Sequence, residues 1–92
     1  MRAVEYKTSF DRTYKRLSNE EKDNVDKAVE ILLRALEVGH FSGGLGLKKL
    51  QEDQWEIRVG LALRVCFRMK KNRLEFGLIG THETIKKFLK NL

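Results

Sequence analysis

Cysteine is nearly absent. Cys66 stands alone among 92 residues, so no internal disulfide can form. That usage suits a reducing compartment, and the cytoplasm is the expected location. Long hydrophobic runs are missing too. No stretch approaches the roughly 18 consecutive apolar residues of a membrane-spanning helix. The opening residues MRAVEYKTSF lack the apolar core of a signal peptide, so no membrane partner is expected. Metal ligands are sparse: His40 and His82 lie far apart, and no Cys/His/Asp cluster has ligand spacing. Neither a metal nor another cofactor is expected. The glycine-rich stretch His40-Phe41-Ser42-Gly43-Gly44-Leu45-Gly46 is not followed by the Gly-Lys-Ser/Thr of a phosphate-binding loop. It reads instead as a crossover between elements.

What remains is a globular composition, 41% apolar and 35% charged, unlike disordered, collagen-like or coiled-coil chains. A chain of this length forms one domain, 1–92, and buries roughly two-thirds of its unfolded surface without metal or disulfide support. The net charge is +6. Residues 1–46 hold eight Lys/Arg and eight Asp/Glu, whereas residues 47–92 hold eleven and five. The whole excess sits in the second half, which suggests a surface there that meets phosphates or an acidic partner.

The first half reads as a strand and a helical hairpin. Arg2-Ala3-Val4-Glu5-Tyr6-Lys7 alternates polar and apolar residues, as a strand does. Thr8 or Ser9 is placed to cap a helix carrying Phe10, Tyr14 and Leu17 at spacings of four and three. Ser18 with Glu21 fits a capping box. From there Val25, Ala28, Val29, Leu32, Leu33 and Leu36 form one apolar helix face up to about Val38, with Gly39 as the stop.

In the second half the period changes to two. In Gln54–Val59, the residues Trp55, Ile57 and Val59 face one way and Glu56 and Arg58 the other. In Leu63–Met69, the residues Leu63, Val65, Phe67 and Met69 face the core, with Arg64, Cys66 and Arg68 opposite. Lys70-Lys71-Asn72-Arg73 makes a turn, and Leu74, Phe76 and Leu78 carry a third buried face. A final helix, about Glu83 to Asn91, groups Ile85, Phe88, Leu89 and Leu92. The expected fold class is α+β: an N-terminal strand and helical hairpin packed on one face of an antiparallel meander sheet, with a short C-terminal helix. The pleat then sends Glu56, Arg58, Arg64 and Arg68 to the face away from the helices. Guanidinium groups bind phosphate bidentately and stack on bases.

The order of elements, with Lys49-Leu50, Trp55-Glu56-Ile57-Arg58-Val59, Leu63-Arg64-Val65-Cys66-Phe67-Arg68 and Ile79-Gly80-Thr81-His82, resembles the RelE/ParE toxin superfamily of toxin–antitoxin systems. The ending is similar to that of the YafQ-like branch. The resemblance implies a RelE-like fold and a metal-independent endoribonuclease that cuts messenger RNA, in many members on the ribosome. It implies a cognate antitoxin, with operator DNA bound only through the toxin–antitoxin complex. Such cleavage uses the RNA 2′-hydroxyl as nucleophile. It needs a proton acceptor, cations for the charge growing on phosphorus, and a proton donor for the leaving 5′-oxygen. By resemblance, His82 is the acid or base, and histidine's ordinary pKa of about 6.5 suits that work. Arg64 matches the arginine that stabilises the phosphorane. Arg58 is assigned to substrate phosphate, with Lys48, Lys49 and Arg68 as further substrate contacts. Phe88 stands where relatives carry a polar group over the base, and its ring can only stack or pack. Glu56 is either a second proton acceptor or an ion-pair partner for Arg58, and the pairing is the expectation. The relatives' additional histidines and aspartate are replaced here by Arg64, Cys66 and Arg68. Two other functions share this sequence shape: a ParE-like toxin that inhibits gyrase, and a non-catalytic basic module that binds nucleic acid or protein.

Overall fold

The computed structural model describes residues 2–92. The chain runs β1 (Ala3–Tyr6), α1 (Thr8–Lys15), α2 (Asn19–Val38), a 3₁₀ turn at Gly43–Leu45, β2 (Lys48–Gln51), β3 (Gln54–Val59), β4 (Leu63–Met69), β5 (Arg73–Gly80) and α3 (His82–Lys90). The five strands form one sheet in the order β1-β5-β4-β3-β2.

The helical hairpin forms as its caps and apolar stripes dictate. Ser18 Oγ accepts the Glu21 amide at 3.1 Å and Glu21 Oε1 accepts the Ser18 amide at 2.9 Å, closing the capping box at the start of α2. Gly39 ends α2 in the left-handed conformation, φ 79°. Tyr14 O–H donates to Asp26 Oδ1 at 2.8 Å and ties the two helices together. The cap of α1 differs from the expectation. The capping position is Lys7, with no side-chain bond, and Thr8 and Ser9 lie inside the helix.

The main core fills the space between these helices and the sheet. Phe10, Val25, Val29 and Leu32 meet Ile57, Val59, Val65, Phe67, Leu74 and Phe76. The sheet's inner face is thus the one the two-residue period marks.

Three features depart from the expected meander. The sheet is mixed: β3, β4 and β5 are antiparallel, but β1 joins β5 in parallel, with Val4 opposite Leu74 and Tyr6 opposite Phe76. Residues 48–51 add an edge strand, β2, antiparallel to β3. The third departure is a bulge in β5. Cys66 pairs with Leu78 but Phe67 pairs with Phe76, so Gly77 is the extra residue. One inserted residue reverses the face of all that follow it. Leu78 therefore leaves the side of Leu74 and Phe76, and Ile79 takes its place in the main core.

The outer face is not open along its whole length. Cys66, Leu78 and Ile85 form a second buried cluster, with Leu50, Phe88 and Leu89 against it. α3 covers the middle of the sheet there. Leu92, expected on the helix's apolar side, lies beyond its end and is exposed.

Candidate functional site

Register places the outer-face side chains in rows. Arg58 on β3 pairs with Arg64 on β4, which pairs with Gly80 on β5. Two residues past Gly80, His82 opens α3, exposed at its first position behind the cap Thr81. Arg58, Arg64 and His82 therefore stand at one end of the sheet. The next row is Lys48, Glu56, Cys66 and Leu78. The third is Gln54, Arg68 and Glu75.

Electrostatics divides these rows sharply. Arg64 Nε forms an ion pair with Glu56 Oε2 at 3.2 Å, so the partner of Glu56 is Arg64 and not Arg58. Glu56 is only 5% exposed, and its other oxygen, Oε1, has no hydrogen-bond partner. Arg58 is exposed and, with Lys48, makes no ion pair among the described residues. At the far end of the face the charges cancel. Arg68 meets Asp53 at 2.9 Å and Glu75 at 3.8 Å. Arg73 meets Glu75 at 2.9 Å and Glu5 at 3.7 Å, and Lys7 meets Glu5 at 3.1 Å. Arg68 is thus one link of an ion-pair chain across β4, β5 and β1, with no charge left over for substrate.

Two more expected contacts fall outside this end of the face. Lys49 pairs with Trp55 and lies over its ring, 5.9 Å from the centroid. That is the helical side of the sheet, because adjacent residues of a strand point oppositely. Phe88 packs into the second cluster, close over Gly77, where an added Cβ would stand 3.3 Å from the ring. Its ring holds α3 to the sheet.

The glycine-rich crossover contributes something its composition did not reveal. A Cβ at Gly46 would stand 2.9 Å from Arg58 Cβ and 3.5 Å from Arg58 Nε. Gly46, at φ 64°, lets the Arg58 side chain lie across the loop. The sequence holds the glycine, but nothing in it names Arg58 as the neighbour.

Cys66 lies within this face but is closed to chemistry. Burial, and then the charge of Glu56, push its thiol up to about 12. Among the described residues no group of three or more His, Cys, Asp or Glu is gathered to hold a metal ion. No helix of the described residues is long and apolar enough to cross a membrane. The arrangement offers two free cations, one held guanidinium and one exposed imidazole around a shallow surface: groups that bind a phosphodiester and move a proton beside it.

No family model matches this sequence, and no curated protein matches it. Solved structures match its shape. The DinJ–YafQ complex of E. coli superposes with a TM-score of 0.72 at 19% identity, over 92% of this chain and 98% of that one. The RelB–RelE antitoxin–toxin complex of Methanococcus jannaschii gives 0.70 at 15% identity, over 92% and 98%. The YoeB dimer of Staphylococcus aureus gives 0.64 at 15%, over 88% and 97%. The chain has the fold these proteins share, along nearly the whole of their length.

Proposed function

We propose that this chain is the toxin of a type II toxin–antitoxin pair and cleaves messenger RNA in the cytoplasm, bound to the ribosome. The observation that carries the reading is the gathering of Arg58, Arg64 and His82 at one end of a sheet whose fold is that of YafQ and RelE. Solved YafQ and RelE structures include complexes with DinJ and with the antitoxin RelB. A cognate antitoxin is the corresponding partner here, offsetting a net charge of +6. Contact with operator DNA is through that complex.

The residues take the following roles. Arg58 and Lys48, the unpaired cations, hold the RNA phosphates. Arg64 faces the scissile phosphate. Its Nε is paired with Glu56 and its Nη1 donates to the Leu63 carbonyl at 3.4 Å, which leaves Nη2 to stabilise the charge that builds on phosphorus. In-line attack puts the 2′-oxygen and the departing 5′-oxygen on opposite sides of phosphorus, so one imidazole serves only one of them. His82, exposed at the rim, protonates the 5′-oxygen. Glu56 keeps Arg64 in place through Oε2, and its unpartnered Oε1 accepts the 2′-hydroxyl proton as the RNA seats against this row. Lys49, Arg68 and Phe88 have structural work instead.

Inducible expression with mapped transcript ends tests this. Wild type should arrest growth and produce new 5′ ends within messages. Arg64→Ala should lower the cleavage rate about 10²–10³-fold and His82→Ala about 10²–10⁴-fold, both still folded. Intact messages with altered DNA supercoiling would refute ribonuclease action and leave the gyrase-directed alternative. Full toxicity in both variants would refute the site.

A further inference from the structure

A groove of about 470 Å³ lies between the middle of α2 and the glycine loop, and Asn24, Lys27, Ile31, Ser42, Gly44 and Arg58 line it. Its wall also includes Val59 and Gly60, at the strand end where Arg58 pairs with Arg64. Its charge is of one sign. Lys27 and Arg58 contribute cations, no carboxylate lines it, and neither cation is paired among the described residues. Ile31, half exposed, supplies an apolar wall. Asn24 and Ser42 supply donors and acceptors. Cations for a phosphate, an apolar flank for a ring and short polar groups for its edge are what a nucleotide asks of a site.

We propose that this groove is a second nucleotide subsite, taking the nucleotide next to the cleaved bond. Arg58 bridges the two: lying across Gly46 at the sheet edge, it holds the phosphate between the cleavage face and the groove. Lys27 takes the following phosphate and Ile31 packs against the base. The proposal rests on the RNA substrate of the preceding section. It favours RNA over an acidic peptide because the groove, about 470 Å³, has room for a single nucleotide and shares Arg58 with the face where the strand is cut.

The test is equilibrium binding of a fluorescent single-stranded RNA of about ten nucleotides, blocked against cleavage by 2′-O-methylation. Lys27→Ala should weaken binding about 5–10-fold and reduce the slope of log affinity against log salt by about 0.7, one phosphate contact on a single strand. Gly44→Leu should weaken it similarly with the slope unchanged. Gly44 lines the groove and a Cβ there meets nothing within 4 Å, so a larger side chain is added at its wall without disturbing the fold. Lys15→Ala, the same charge change on α1, should stay within about twofold of wild type. On a dinucleotide spanning only the cleaved bond, Lys27→Ala should match wild type. If wild type binds the probe and both groove variants bind it equally well, the subsite is refuted while the cleavage face stands. A Lys27 effect that persists on the dinucleotide also refutes it, as a general field effect. If a glutamate-rich peptide binds in a Lys27-dependent way and RNA does not, the groove belongs to a protein partner. If wild type binds no RNA, subsite and ribonuclease reading fall together.

Discussion

Glu56 and Arg64 concentrate the residue-scale questions. A carboxylate 5% exposed with one oxygen unpartnered is costly to bury, and a cost of that kind at a sheet face has either a structural return or a chemical one. Glu56→Gln separates the two. It keeps the shape and an oxygen for Arg64 Nε but cannot take a proton. Proton acceptance by Glu56 predicts a fall in cleavage rate of at least about 10²-fold, with the melting temperature within a few degrees of wild type. An undiminished rate would leave Glu56 only as the holder of Arg64. Cys66 gives a second test. Burial holds its thiol at about 12, above the ordinary value of about 8.5, so the folded protein keeps the proton where the unfolded chain loses it. The thiol's contribution to stability is complete below about pH 8.5 and declines as pH rises toward 12. Iodoacetamide at pH 8 should therefore leave the native protein unmodified and label it only in denaturant. Rapid native labelling would show that α3 does not cover Cys66.

At the scale of elements, α1 and α3 each hold a part of β5. The bulge at Gly77 frees backbone groups from the ladder, and α1 satisfies them. Ser9 Oγ donates to the Gly77 carbonyl, and Thr13 Oγ1 accepts the Ile79 amide at 3.1 Å. Thr13→Val, nearly the same shape, should cost about 1–3 kcal/mol in denaturant unfolding, the penalty of an unmet buried amide. A cost near zero would mean that water replaces the hydroxyl. On the other side, α3 starts against Gly80, where a Cβ would stand 2.9 Å from Thr84 Cγ2. Gly80→Ala pushes back the first turn of α3, which carries His82. The expected outcome is lost cleavage with a largely retained far-ultraviolet circular dichroism spectrum. Wild-type cleavage would show that the imidazole needs no fixed placement.

For the whole molecule, charge is uneven in space as well as in sequence. The ion-pair chain from Asp53 to Lys7 neutralises one end of the outer face, and Lys48, Arg58 and Arg64 occupy the other. With Lys27 of the groove these make four phosphate contacts, which on a single strand predict a slope of about −3 for log affinity against log salt. A slope near −5 or steeper would mean that RNA also covers the paired end. A net charge of +6 also predicts faster association with an acidic antitoxin at low salt than at high salt.

Much of this was present in the sequence alone. The capping box at Ser18, the stop at Gly39, the apolar stripe of α2 and the alternation of β3 and β4 are local patterns, set by residues a few positions apart, and the order of elements apart from β2 followed from them. The cationic row was legible for the same reason: alternation assigns Arg58 and Arg64 to one face wherever the strand goes. Only the tertiary structure decided the rest. The parallel joining of β1 to β5, the flip of Leu78 at Gly77, the covering of Cys66 by α3, the placing of Lys48 and Lys49 on opposite faces, and the choice of Arg64 over Arg58 as the partner of Glu56 all depend on register between distant segments. A pleat's period says which way a side chain points, but what it meets there is set by strands and helices that the local sequence does not contain.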